Sequence, residues 1–446
     1  MIPFASVACL IDAGGQTLEV SLMDLSAIGF TFRVPHSWAE CIAAGVTQVT
    51  LRFHRFRDSG SCVLTPDAFT LDREESTEAY VLYRLETMDA AFRMLARRFM
   101  QDYRQYADLK TAGDDAHLSE VLTGCPAASE TQFPTDFDTQ RRRWLAGLQP
   151  DALWSDALKH ARQLALSLPS PEVWKQFLAL SADDFAAWYW ASRGLVDHPL
   201  TRRRVDCLYI GNQFCPLLFP DEETLLRLLD KAASEHLHPV LALSTIAESR
   251  LASTLSLLAA LAPWCESHGP LELIVNDWGL AEALRGNAHF TLTLGILLHK
   301  RRKDMRMPLM QGFDGRQALL RPGALAADFF RSALASDLHI SRFSNEACGY
   351  DTHSAPGPLH LPFFQMNTAG HCTLYARCHH GSRAAQQAVT ACPRYCDDHA
   401  FLYPEALRMV GRFNSLFGFD ARSLTDGAYL TSLMAGGVDR LVVDLL

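Results

Sequence analysis

The sequence lacks both the long apolar run and the charged leader that direct a chain into or across a membrane. Its longest apolar stretch, LASTLSLLAALAPW at residues 251–264, is too short to span a bilayer and indicates a buried helix. The first residues, MIPFASVACLIDAGG, carry no charged segment ahead of an apolar core, so we expect no signal peptide. We therefore expect a cytoplasmic protein without membrane insertion.

The signatures of common hydrolases are absent as well. Neither GxSxG nor HExxH occurs, and no histidine or aspartate has a spacing that nominates a catalytic triad. The formal net charge of -9 gives no reason to expect nucleic acid to bind over the whole surface. The sequence therefore identifies no catalytic residue, and its function has to be sought in another kind of site.

What the sequence does contain is a concentration of cysteine near its end. Of 12 cysteines, four fall within 25 residues in HCTLYARCHHGSRAAQQAVTACPRYC, with the spacing C-x5-C-x13-C-x3-C. These are Cys372, Cys378, Cys392 and Cys396, and a fifth, Cys215, follows an apolar run in LYIGNQFC. In a reducing cytoplasm, clustered cysteines more often hold metal than form disulfides. The pattern predicts a metal centre.

Two kinds of metal centre fit these residue types. Zinc is the alternative that the neighbouring histidines allow, because imidazole and thiolate are its usual ligands. A zinc knuckle usually pairs C-x2-C units, however, and no C-x2-C occurs here. Unequal spacing with a distant extra cysteine suits an iron–sulfur cluster better. The histidines beside the cysteines are His371, His379, His380 and His399.

Three regions differ in their patterning. The first hundred residues are rich in short β-type runs, such as TLEVSLMDL, GFTFRV and QVTLRFHRF, and end in a helical stretch. Residues 110–130 are small and polar, and the Trp-rich stretch after residue 138 has helical periodicity, including LWSDALKHARQLALSL. From residue 201 onward, strands alternate with helices. We predict domains at 1–109, 110–200 (linker and helical connector) and 201–446.

The alternating region predicts a parallel sheet that is covered by helices on both faces. Its length is close to the roughly 250 residues of a (β/α)8 TIM-like barrel. About seven strands can be named from the sequence, so a doubly wound open sheet is the alternative. Polar residues of interest follow strands repeatedly, and the C-terminal strand ends form the active face of such barrels.

Several of these polar residues are candidates for substrate binding. The run HKRRKDMR at 299–306 is either a solvated loop or an anion clamp at the barrel mouth. The Asn-Asp pair after the strand LELIV either caps the next helix or faces the substrate. The candidates are Asn276, Asp277, Lys300, Arg302, Arg306 and Asn367.

Residues 205–446 resemble the U-32 collagenase-like peptidase family, and most closely its UbiV-like branch in oxygen-independent ubiquinone hydroxylation. The strings that carry the resemblance are LYIGNQFC, LELIVNDWGLAEAL, TLGILLHKRRKDMRM, YARC, the C-x3-C pair and the YP at 403–404. The resemblance implies a [4Fe–4S] cluster held by Cys215, Cys378, Cys392 and Cys396. Cys372, in AGHC, is the alternate to Cys378.

The same resemblance implies a function and partners. It implies oxygen-independent hydroxylation of an aromatic or RNA base substrate, by an oxidoreductase or a subunit of one. A member of the same family is implied as a hetero-oligomeric partner. A regulatory or scaffold protein with a structural or redox-sensing metal centre is the alternative, and a peptidase is a lesser one.

The N-terminal region resembles PilZ domains, which are small β-barrels that bind cyclic di-GMP. The resemblance rests on the D-x-S-x-x-G string at Asp24, Ser26 and Gly29. PilZ domains also need an upstream R-x-x-x-R arm, and no arginine precedes Asp24. We therefore expect a PilZ-like β-barrel that does not bind the dinucleotide. The alternative is that the string only shapes a β-turn, since Asp, Ser and Gly all favour turns.

Overall fold

The computed structural model describes residues 7–54, 61–112, 136–305, 318, 321–403 and 405–446. The chain forms two compact units, Met1–Glu130 and Thr131–Leu446. The predicted mixture of helices and strands is confirmed, with an antiparallel sheet in unit 1 and a mixed sheet in unit 2. Within the described ranges, no helix has both the length and the apolarity needed to cross a bilayer.

Unit 1 is built on one antiparallel sheet. Its elements are β1 (Val7–Ala13), β2 (Gln16–Leu25), β3 (Gly29–Val34), α1 (His36–Ala43), β4 (Val46–His54), β5 (Ser61–Leu64), β6 (Thr70–Ser76), β7 (Val81–Glu86) and α2 (Ala90–Ala112). The strands pair in the order β5, β4, β1, β2, β3, β7, β6. The strands predicted from TLEVSLMDL, GFTFRV and QVTLRFHRF are confirmed as β2, β3 and β4.

Helix α2 completes the hydrophobic core of unit 1. Phe92, Ala96 and Phe99 recur at helical spacing and are buried. The ring of Phe92 lies 6.3 Å from the rings of both Phe30 and Phe53, at centroid separations typical of aromatic pairs. The periodicity read from the sequence therefore corresponds to a real packing face of this helix.

The D-x-S-x-x-G string forms the tight turn between β2 and β3. The Ser26 hydroxyl donates to the Gly29 carbonyl at 3.0 Å, and the Ser26 amide donates to the same oxygen at 2.8 Å. Asp24 Oδ1 accepts from the Leu25 amide at 2.8 Å. A Cβ on Gly29 would lie 2.0 Å from the Leu85 carbonyl oxygen, so only glycine fits there. The local geometry is that of a turn held by its own polar groups.

Unit 2 alternates strands and helices along most of its length. Its helices are α3 (Phe137–Leu145), α4 (Ala152–His160), α5 (Pro171–Ala179), α6 (Ala182–Arg193), α7 (Glu222–Ser234), α8 (Glu248–Ala260), α9 (Ala262–His268), α10 (Trp278–Ala283), α11 (Asp328–Asp337), α12 (Thr373–His380), α13 (Arg422–Thr425) and α14 (Gly427–Met434). Its strands are β8 (Gln163–Leu168), β9 (Cys207–Gly211), β10 (His238–Ala242), β11 (Leu271–Val275), β12 (Phe290–Leu294), β13 (Arg342–Phe343), β14 (Asn345–Glu346), β15 (Gly357–Thr368), β16 (Phe401–Leu402), β17 (Met409–Arg412), β18 (Ser415–Phe419) and β19 (Val438–Asp444).

Parallel pairings connect most strands of unit 2. They run from β8 through β9, β10, β11 and β12 to β13. They also run from β14 through β15 and β19 back to β8. Only Ser344 separates β13 from β14. The far half of β15 pairs with β18, and β17 and β16 extend that antiparallel ribbon.

One predicted helix is a strand. Residues 163–168, QLALSL, were part of the stretch that we predicted as helical, yet they form β8 between β9 and β19. A short apolar run cannot be assigned by periodicity alone, and here pairing on both sides decides its conformation. The sheet of unit 2 therefore begins inside the predicted 110–200 connector and not after residue 201.

The Trp-rich segment packs within unit 2. Trp144 on α3 stacks on Phe419 with ring centroids 5.3 Å apart. Buried Trp154 donates its indole N–H to the Ser423 carbonyl at 3.0 Å, and Trp174 donates to the Leu168 carbonyl at 2.8 Å. Trp154 and Trp174 bury large apolar surfaces while the indole N–H of each stays paired.

Candidate metal centre

Cys215 lies just beyond the C-terminal end of β9, in a turn that Asn212 organises. Asn212 is buried, and its Oδ1 accepts from the amides of Phe214 and Cys215 at 2.9 and 3.1 Å. Its Nδ2 donates to the Pro169 carbonyl at 3.2 Å. Cys215 then precedes a 3-10 turn, Pro216–Leu218. The string GNQFC therefore forms a turn that fixes the position of Cys215.

Cys372 and Cys378 lie at opposite ends of helix α12, shortly after β15. Cys372 caps the helix, and its Sγ accepts from the Tyr375 amide at 3.3 Å. It is partly buried, whereas Cys378 lies on the exposed side of the last turns. The two cysteines on this helix therefore have different environments, although the sequence places them only six residues apart.

Cys392 and Cys396 follow in an irregular segment. Cys392 Sγ accepts from the Arg394 amide at 3.3 Å, and both cysteines are partly buried. Cys396 presents its carbonyl to Arg412 on β17, whose Nε donates at 3.0 Å. The C-x3-C pair thus lies between α12 and the antiparallel ribbon.

The other four thiols lie within electrostatic range of Cys392. Burial, reinforced by the charges of Cys372 and Cys392, raises the pKa of Cys215 to about 11. Burial, with the charges of Cys215 and Cys392 among its further causes, raises the pKa of Cys396 to about 12. Burial also raises the pKa of both Cys372 and Cys378, and the charge of Cys392 acts on each of them. Segments more than 150 residues apart in the sequence are thereby brought to one site.

Backbone amides and burial distinguish the thiols. Amides of Leu374 and Tyr375 lower the pKa of Cys372 against the effect of burial, and those of Leu217 and Leu218 do the same for Cys215. A hydrogen bond to the charged form of a thiol stabilises the thiolate that a metal requires. The pKa of Cys378 responds instead to slight burial, to Arg377 and to Cys392. The arrangement suits Cys372 as a ligand better than it suits Cys378.

The spacing of these groups bears on the kind of metal. Among the described residues, no three His, Cys, Asp or Glu side chains lie close enough together to hold a single metal ion. A tetrahedral zinc site with Zn–S bonds of about 2.3 Å requires such close contact. A cluster of four irons spreads its four ligands further apart. In their chemistry, the thiolate donors are compatible with an iron–sulfur cluster.

The histidines that favoured zinc have other neighbours. The ring of His379 stacks on Tyr375 at 4.9 Å, and Gln387 lies 2.6 Å from His380 Nε2. His399, with Cys396, Asp397 and Arg412, lines a cavity of about 190 Å³ at the surface. Each of His379, His380 and His399 therefore has a described neighbour of its own.

Two predicted substrate ligands have structural partners. Asn276 is fully buried, and its Nδ2 donates to the Leu243 carbonyl at 2.8 Å while its Oδ1 accepts from the Leu297 amide at 3.0 Å. Asp277 caps α10 by accepting from the Leu280 amide at 3.0 Å. Asp277 therefore caps the next helix, which is one of the two alternatives that the sequence left open.

The other predicted substrate residues are distributed differently. Lys300, Arg302 and Asn367 are exposed, and Arg306 lies outside the described residues. Pattern reading missed Lys303, whose ammonium pairs with Glu346 and also donates to Gln365 Oε1 at 2.9 Å. The side chain of Lys303 is 7% exposed and that of Glu346 is 3% exposed. The signal available in the sequence was the acidic residue Glu346, which ends the short strand β14.

Comparison with known proteins returned nothing: no protein-family model, no curated protein and no solved structure matches this chain.

Proposed function

We propose that unit 2 is an iron–sulfur protein of the U-32 type that holds a [4Fe–4S] cluster. The observation that carries the proposal is that four thiols, from two distant segments of the chain, are gathered around a fifth, that of Cys392. Four thiolates are the usual ligands of such a cluster. Burial raises the pKa of Cys215, Cys372, Cys378 and Cys396, so binding a metal centre, which requires thiolates, would release protons.

The ligands we propose are Cys215, Cys372, Cys392 and Cys396. The family resemblance implies Cys378 in place of Cys372, and Cys378 remains the alternate. Greater burial and the amide contact to its sulfur favour Cys372. A partly buried thiolate that accepts a backbone N–H bond is better shielded from solvent and from loss of metal than an exposed one.

The fold that we propose for unit 2 is a (β/α)8 barrel. The parallel pairings that lead from β8 to β13, and from β14 back to β8, support this interpretation. Cys215 follows the C-terminal end of β9, and Cys372 follows that of β15, which is the end where such barrels carry their sites. For unit 1 we propose a PilZ-like module that does not bind cyclic di-GMP.

The activity that we propose is oxygen-independent hydroxylation of an aromatic or RNA base substrate. When bound, the cluster supplies one-electron transfer. The turn at Asn212 and the N-terminal cap of α12 would position the cysteine ligands. The exposed side chains of Lys300 and Arg302 are candidates to bind an anionic group of the substrate. A second member of the same family is the proposed partner.

One observation favours a regulatory or scaffold role instead. Three polar groups near the strand ends, Asn276, Asp277 and Lys303, already have structural partners. A catalytic site needs polar groups that are free to contact substrate. In this second candidate function the metal centre is structural or senses redox state.

The experiment that tests the proposal is anaerobic purification followed by a UV–visible spectrum and by iron, sulfide and zinc analysis. The proteins compared are the wild type, Cys392→Ser and the control Cys62→Ser, which alters a partly buried cysteine of unit 1. We expect a brown wild type with about four irons per chain. Cys392→Ser should lose most of the iron, and Cys62→Ser should keep it.

Other outcomes have definite meanings. A colourless wild type with about one zinc per chain would eliminate the cluster and favour the scaffold role. Equal iron in Cys392→Ser and the wild type would remove the central thiol from the ligand set and contradict the proposal.

A further inference from the structure

Arg412 is the charged side chain that contacts the backbone of a proposed ligand. Its Nε donates to the Cys396 carbonyl at 3.0 Å, and its Nη1 donates to the Leu446 carbonyl at 2.7 Å. Its guanidinium lies over the rings of Phe137 and Phe413, at 5.4 and 4.7 Å from their centroids. Two hydrogen bonds and two aromatic contacts therefore hold the charge in one position.

The position matters because the charge cannot be removed or moved easily. A guanidinium stays protonated in proteins, and aromatic faces attract it. Arg412 is partly buried against Phe137, so solvent screens its field less than that of a surface group. Asp138 and Asp397 lie within its electrostatic range and offset part of that field, while Arg193 adds to it.

A second arginine near the same cysteines offers a contrast. Arg394 lies two residues before Cys396, but its side chain is 45% exposed. It pairs with Asp397 at 3.4 Å, so its charge is both screened and compensated. Proximity in sequence therefore does not give Arg394 the fixed, shielded position that Arg412 has.

We propose that Arg412 positions Cys396 and raises the reduction potential of the metal centre bound there. The inference rests on the proposed function, since it requires a cluster. Addition of one electron from a one-electron donor makes a thiolate-ligated cluster more negative by one charge. A fixed cation nearby stabilises that added charge more than it stabilises the oxidised state, so reduction becomes easier.

The test compares Arg412→Gln and Arg412→Lys with the wild type, and uses Arg394→Gln as the matched control. Iron and sulfide per chain are measured first. The reduction potential is then measured by anaerobic titration with dithionite, followed by absorbance and electron paramagnetic resonance. Neither measurement depends on activity or on knowledge of the substrate.

We expect Arg412→Gln to keep its iron and to shift to a more negative potential. Arg412→Lys, which keeps the charge, should stay near the wild type, and Arg394→Gln should not shift. Rescue of the potential by Arg412→Lys, which keeps the charge and loses the planar guanidinium, separates an electrostatic role from a structural one.

Each contrary result is decisive. Full iron and an unchanged potential in Arg412→Gln would overturn the inference and leave the proposed function standing. If no Arg412 variant holds iron while the wild type does, the residue is structural and the tuning role is wrong. If the wild type itself holds no iron, the proposed function fails and the inference fails with it.

Discussion

The side chain of Asn276 lies directly against Gly295, so closely that a Cβ on Gly295 would come within 2.1 Å of Asn276 Oδ1. The same Oδ1 accepts from the Leu297 amide at 3.0 Å, and Nδ2 donates to Leu243 and, at 3.2 Å, to Gln213. Asn276 therefore ties together the loops that follow β10, β11 and β12. Asn276 therefore holds these strand ends, and its contact with substrate stays a prediction.

This relationship predicts that Gly295→Ala destabilises unit 2. The added methyl has to displace a fully buried amide, and overpacking of this kind costs about 1–3 kcal/mol. Thermal unfolding of the variant measures the loss. Gly370→Ala is the control, because a Cβ there meets nothing within 4 Å. Equal melting temperatures for the two variants would show that Asn276 can move without cost.

The choice between Cys372 and Cys378 predicts different iron contents for two single substitutions. Cys372 is partly buried and accepts from the Tyr375 amide, whereas Cys378 is exposed. Cys372→Ser should lose most of the bound iron after anaerobic purification, and Cys378→Ser should retain nearly all of it. Iron and sulfide analysis decides, and the reverse result would favour the ligand set that the family resemblance implies.

The buried ion pair between Lys303 and Glu346 predicts a strongly non-additive pair of substitutions. Lys303→Met leaves Glu346 buried without its cation, which costs about 3–5 kcal/mol. Removing both charges in Lys303→Met/Glu346→Leu should recover most of that loss. Chemical denaturation of the single and double variants measures the coupling. Additive losses would mean that the two side chains do not depend on each other.

Two buried histidines predict that the protein loses stability in acid. Burial is the main cause that lowers the pKa of both His299 and His360 to about 3. In the unfolded chain, His299 and His360 take up protons below about pH 6.5, whereas in the folded chain the two side chains stay neutral. Stability is therefore present above about pH 6.5 and falls, by about 1.4 kcal/mol per pH unit for each histidine, as the pH drops towards 3.

His360 is the better of the two for a test, because its Nε2 has no hydrogen-bond partner within the described part of the chain. His360→Leu should flatten the dependence of the unfolding free energy on pH between about 6 and 4. His160→Gln, at an exposed position, is the control. An unchanged slope in His360→Leu would show that this imidazole takes up its proton in the folded state.

Local patterns predicted most elements of the fold because they depend on neighbours within a few residues. The alternating runs of unit 1 became β2, β3 and β4, and the spacing of Phe92, Ala96 and Phe99 became the buried face of α2. The apolar runs from LYIG to VDRLVVDLL became strands of unit 2 for the same reason. Backbone geometry sets these periods, so the sequence alone determines them.

Strand β8 and the arrangement of the cysteines could not be predicted from local patterns. QLALSL has the composition of either a helix or a strand, and its pairing with β9 and β19 decides. The sequence alone determined that thiols would be concentrated near the end of the chain. Tertiary structure decided that Cys215 joins them, that Cys372 is the shielded member of α12 and that Lys303 turns inward to Glu346. These choices depend on distances between segments far apart in the chain, which only the packing of strands and helices sets.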